Sequence, residues 1–119
     1  MREEIVAAIL AHGQWKARLI TAIETGKSDF TPDNVKVDDK CAFGKWFHSL
    51  SGEDLKSPYY NEVKELHAKF HQIAARILDL AITGKKEEAQ TAMGPTSEYM
   101  EISTQLILTL GRWKNEAKD

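Results

Sequence analysis

The sequence predicts an all-α protein, a four-helix bundle with antiparallel neighbours and an additional short helix carrying the cysteine. Two observations predict it. Apolar residues recur at three- and four-residue steps along three long segments. Helix-start and helix-stop chemistry falls at the ends of those segments: Ser57-Pro58 at a start, Gly26 and Gly84 at stops.

The first helix is expected over residues 3–25. Ile5, Ile9, His12, Leu19 and Ile23 define its inward stripe, with Ala8, Trp15 and Ala22 filling the face. Glu3 and Glu4 suit the positive end of the helix dipole, and Gly26 suits the C-cap. His12 therefore points toward the core, either as a metal ligand or as a buried histidine satisfied by a hydrogen bond.

Residues 27–38, GKSDFTPDNVKV, lack periodicity and read as a loop, with Phe30 as a possible anchor. Asp38 or Asp39 then N-caps a short helix through Cys41 to about Leu50. A cysteine in a helical first turn has a lowered thiol pKa, which favours the thiolate. Phe43, Trp46, Phe47 and Leu50 load this short helix with apolar surface and read as a lid.

Ser57 and Pro58 open the next helix, which runs to Thr83 on the stripe Val63, His67, Phe70, Ala74, Ile77, Ala81. His67 lies on the seam and His71 beside it, one turn on, the spacing at which helical histidine pairs grip one ion. A bare H-x-x-x-H is also what packed or solvated histidines look like. The last helix is expected over residues 85–115, with Ala89, Ala92, Tyr99, Ile102, Leu106, Leu110 and Trp113 inward. Gly94-Pro95 interrupts it with a kink or a break, after which Thr96 or Ser97 could cap a restart.

The composition removes several classes of function. A length of 119 residues fits one domain spanning 1–119. The net charge of −2 and the scattered lysines and arginines exclude a nucleic-acid footprint. Apolar runs are too short to cross a bilayer, and MREEIV lacks the apolar region of a secretory signal, so no membrane insertion is expected. A single cysteine forms no internal disulfide, which fits a reducing cytoplasm.

The chemistry-bearing residues converge on one reading. The only cysteine and three of the four histidines fall on inward faces or at a helix start, and bundles build metal sites from facing helices. One thiolate and three imidazoles, Cys41 with His12, His67 and His71, complete a tetrahedral Zn2+ site. His48 lies seven residues beyond Cys41, about 10 Å along a helix, and is left on the surface. Inward carboxylates that would make a di-iron site are missing. In H-A-K-F-H no general base stands between the histidines, and four protein ligands close the zinc to substrate. An enzyme is therefore not expected. The competing readings are a metalloenzyme with three ligands and an open position, and a metal-free helical interaction module. Asp38, Asp39 and Glu65 are the candidate acceptors behind a ligating imidazole.

HGQW, CAFGKWF and HAKFH together resemble the chemoreceptor zinc-binding domain of bacterial signalling proteins, over essentially the whole chain. The resemblance implies a helical bundle, usually homodimeric, with zinc on His12, Cys41, His67 and His71. It implies attachment to a chemotaxis receptor or a diguanylate cyclase as the signalling output partner. It further implies that zinc availability, or oxidation of the zinc-bound Cys41 by hypochlorous acid, modulates that output. A homodimer is also expected from the apolar residues that fall off the seams: Val6, Leu10, Ile73, Leu80 and Leu108.

Overall fold

Ser57 starts the central helix, its hydroxyl accepting from the Tyr59 amide at 3.3 Å while Pro58 takes the first helical position. The computed structural model of the chain describes residues 2–28, 31–32, 42–50 and 52–116. Its helices are α1 (Arg2–Thr25), α2 (Ala42–His48), α3 (Pro58–Ile82), α4 (Lys86–Ala92) and α5 (Glu98–Glu116), with a 3-10 turn at Gly52–Lys56 before α3. No strand occurs among the described residues, and the helices pack into the expected all-α bundle. Phe30, Asp38, Asp39, Cys41 and the side chain of Phe43 lie outside the described residues, as does most of the expected 27–38 loop.

The segment ends follow their local chemistry. Gly84 closes α3 at φ +83°, a conformation that costs a glycine little, and the Lys85 amide reaches back to the Leu80 carbonyl at 2.9 Å. The last expected helix breaks completely, because Pro95 brings no amide to continue the ladder. Of the two possible caps, Ser97 is the one used: its hydroxyl accepts from the Met100 amide at 3.3 Å.

Three side-chain pairs show α3 and α5 running antiparallel. Ser57 meets Glu116 at 3.4 Å, Thr109 donates to Glu62 at 3.1 Å, and Arg76 meets Glu98 at 3.7 Å. α1 lies beside α3 in the same sense, so the expected antiparallel arrangement of neighbours holds for α3 and α5 but not for this pair. His12 meets His67 and Phe70, and further along Ala17 and Thr21 line a cavity together with Ile82. Two helices can run the same way only if the chain travels back between them, which the long connection before α2 allows.

α2 is held by rings. Phe47 stacks on Tyr60 at 4.8 Å and meets Trp113 edge-on at 6.0 Å, while Trp46 lies 6.0 Å from Trp113. Of the four residues expected as a lid, Phe43, Trp46, Phe47 and Leu50, Phe47 is fully buried and Trp46 and Leu50 are partly buried against the core.

The expected set of surplus apolar residues also needs correcting. Ile73 is buried and Leu80 is half-buried, so neither is surplus apolar surface. α3 is the central helix, packed against α1, α4 and α5, and it buries a wider stripe than one seam. Val6, Leu10 and Leu108 do remain exposed. No helix among the described residues is long and apolar enough to cross a membrane.

Candidate metal centre

α1 brings His12, and α3 brings His67 and His71, into one buried cluster. The rings stand edge-to-face, their centroids 5.2 Å apart for His12 and His67, 6.1 Å for His12 and His71, and 4.5 Å for His67 and His71. One ring nitrogen from each lies within 4.8 Å of the others, and the Nε2 atoms of His67 and His71 are 3.1 Å apart. Phe70 walls the cluster, meeting His12 edge-on at 5.0 Å, and Phe47 of α2 lies 6.5 Å from His67.

The local hydrogen bonding orients His12. Its Nδ1 sits 2.7 Å from the Ala8 carbonyl, which only accepts, so Nδ1 carries the proton and Nε2 keeps its lone pair for an ion. The sequence offered Asp38, Asp39 and Glu65 for such a role. Glu65 is exposed, and the acceptor behind His12 is a main-chain carbonyl one turn back. Every helix carries such carbonyls, so no residue type in the sequence marks this one.

Burial favours the neutral form of His12 and His67. It pushes His12 down to about 4, with its bond to Ala8 opposing and repulsion from His71 adding. It pushes His67 down to about 2, reinforced by His71, His12 and His48. Below the ordinary histidine value of about 6.5, an unfolded chain takes up protons that the folded one refuses. The unfolded state therefore holds more protons from about pH 6.5 down to the folded values, and stability falls as pH falls. For metal-free protein we expect each of the two histidines to remove about 1.4 kcal/mol per pH unit across its window. Urea unfolding with chelator at pH 7 and pH 5 measures this. An equal midpoint at both would mean that the pair is charged or solvated.

The donor set fits zinc. Two nitrogens on one tetrahedral Zn2+ at 2.0–2.1 Å stand about 3.3 Å apart, close to the His67–His71 separation. Three imidazoles leave one position of a tetrahedral ion to a fourth donor, which a thiolate or a water can fill. Cys41 directly precedes Ala42, the first residue of α2, but is itself outside the described residues. His48 is exposed, as expected. Tyr99 faces inward as the periodicity predicts, and it carries a polar group into the core. The Tyr99 hydroxyl has no hydrogen-bond partner among the described residues, and burial pushes it up to about 12. Its ring lies 5.7 Å from Phe70, behind the cluster.

Three imidazoles buried between two helices of an all-α bundle are close enough to hold one metal ion. The family described as chemoreceptor zinc-binding domain matches residues 12–78, a span running from His12 through Cys41 and both histidines of α3. The chain belongs to that family, and is thereby a zinc-binding signalling domain. No curated protein and no solved structure matches it.

Proposed function

We propose that His12, His67, His71 and Cys41 hold one structural zinc ion, and that the chain reports zinc availability or oxidation of Cys41 to a signalling partner. The observation that carries this is the convergence of three buried imidazoles within ligand distance of one another. The family match spanning Cys41, the only cysteine of the chain, supports it as the fourth donor.

When bound, zinc keeps the Cys41 sulfur deprotonated, the form that oxidants attack. Hypochlorous acid takes two electrons from that sulfur, chloride leaves, and the sulfur gains one oxygen as a sulfenic acid. Thiols return it to the starting state. The three imidazoles remain on α1 and α3, so losing the thiolate frees α2 alone among the elements of the site. α2 leans on Trp113 near the end of α5 and on Tyr60 at the start of α3, and its displacement disturbs both. A four-ligand site leaves no position for substrate, which favours a regulatory role over an enzymatic one. The partner in this reading is a chemotaxis receptor or a diguanylate cyclase, with the chain acting as a cytoplasmic homodimer.

Elemental analysis of untreated protein tests the site. About one zinc per chain is expected in the wild type, with marked loss in Cys41→Ala. X-ray absorption without sulfur around the metal would remove Cys41 from it. For the redox role, peptide mapping after sub-stoichiometric hypochlorous acid should find Cys41 modified ahead of Met93 and Met100. Methionine oxidation with Cys41 intact would leave a zinc site and no redox sensor.

A further inference from the structure

The histidine cluster is sealed. His12, His67 and His71 are buried, and so are Phe47 and Phe70, the phenyl rings that wall them. An ion that reaches the three nitrogens has to shed its water on the way, and a phenyl ring offers no donor in exchange. Carrying a half-dehydrated dication through such a wall is very costly. Passage therefore requires the wall to open and a protein donor to stand at the opening.

The lengths of the helices decide where it opens. α1 and α3 run for 24 and 25 residues, whereas α2 has seven and is held by ring contacts. Local opening takes the element with the least structure of its own, which here is α2. Phe47 is the part of α2 that closes the cluster. Its ring lies 6.5 Å from His67 and stacks on Tyr60 at 4.8 Å. The same ring meets His48 edge-on at 5.8 Å, and His48 is exposed. One phenyl ring thus touches a buried imidazole of the site and the one imidazole of the chain that faces water. His48 is also near enough to His67 for their charges to repel.

We propose that His48 is a transient zinc ligand at the mouth of the site, holding the ion as it enters and leaves. This rests on the zinc-binding reading above and adds the route to that site. Imidazole is the commonest protein ligand for metals, and four-coordinate zinc expands to five ligands in passing. An extra imidazole can therefore join before another donor lets go, so that water and protein donors exchange one at a time. With α2 in place, Phe47 covers His67 and His48 stays outside, as the exposure of His48 shows. When α2 lifts, His48 moves with it and is the first donor the ion meets.

Stopped-flow mixing of zinc-loaded protein with an excess of chelating dye reads release, and zinc added to metal-free protein reads uptake. Competition at equilibrium reads affinity. A ligand used only in passing changes both rates and leaves their ratio alone. His48→Gln should slow uptake and release by about tenfold each, with zinc content and affinity unchanged. His48→Glu, which has nearly the shape of the glutamine variant but can ligate zinc, should restore both rates. If His48 merely steadied α2, His48→Gln would release zinc faster and bind it more weakly, and the proposal falls. Unchanged rates in His48→Gln, or a His48→Glu as slow as His48→Gln, also overturn it. A His48→Glu that takes zinc up faster but releases it more slowly would reveal attraction by charge, and overturns it too. A wild type that holds no zinc overturns the site itself, a result distinct from all of these.

Discussion

His67→Ala should abolish stoichiometric zinc binding and erase the stabilisation that zinc confers. His67 is fully buried at the centre of the cluster, with Nε2 3.1 Å from His71 on one side and the His12 ring 5.2 Å away on the other. Removing it leaves two imidazoles on two helices with no third nitrogen between them. At free zinc a thousandfold above the dissociation constant, the wild type gains about 4 kcal/mol from binding. For a chain of this size that corresponds to roughly 12–20 °C in unfolding temperature. Calorimetry with zinc and with chelator should show this increment for the wild type and none for His67→Ala. His48→Ala is the control: exposed on α2, it should keep its zinc and its increment. Equal zinc content in wild type and His67→Ala would dismantle the site as described.

Phe47→Ala should be the most damaging substitution outside the ligands, costing about 3–5 kcal/mol. The ring is 1% exposed and holds α2 to the rest of the bundle through Tyr60, Trp113 and His67. α2 is seven residues long, too short to persist without such contacts. Losing the ring should therefore loosen α2 as a unit. Urea unfolding of zinc-free protein measures the direct cost. A double-mutant cycle with Trp113→Ala should show coupling of about 1 kcal/mol, since the two rings meet edge-on. Strict additivity would mean that α2 is anchored elsewhere. Phe47→Ala should also bind zinc more weakly, because the segment bearing Cys41 loses its hold.

Much of the fold is written in local chemistry. The Ser57-Pro58 start, the Gly84 stop and the break at Gly94-Pro95 each act within a few residues, so a linear reading recovers them. The same holds for His67 and His71. Their i,i+4 spacing forces neighbouring rings on any straight helix, wherever that helix packs. The helical phase of His12 likewise determines that it faces inward.

What α1 faces is a different matter. Which residues His12 meets depends on the sliding position and direction of α1 against α3, and that is decided by how Trp15, Leu19, Phe70 and the rest of the core pack together. No periodicity encodes it, because a stripe records which side is buried and not against what. The Ala8 carbonyl is similarly silent in sequence, since all residues carry one. The burial of Ile73 follows from the central place of α3, a property of the assembled bundle. The sequence determined which residue types could bind a metal, and which helix faces they occupy. Only the tertiary structure brought three nitrogens within 4.8 Å and buried them away from water, because distance and desolvation arise from packing between segments far apart in the chain.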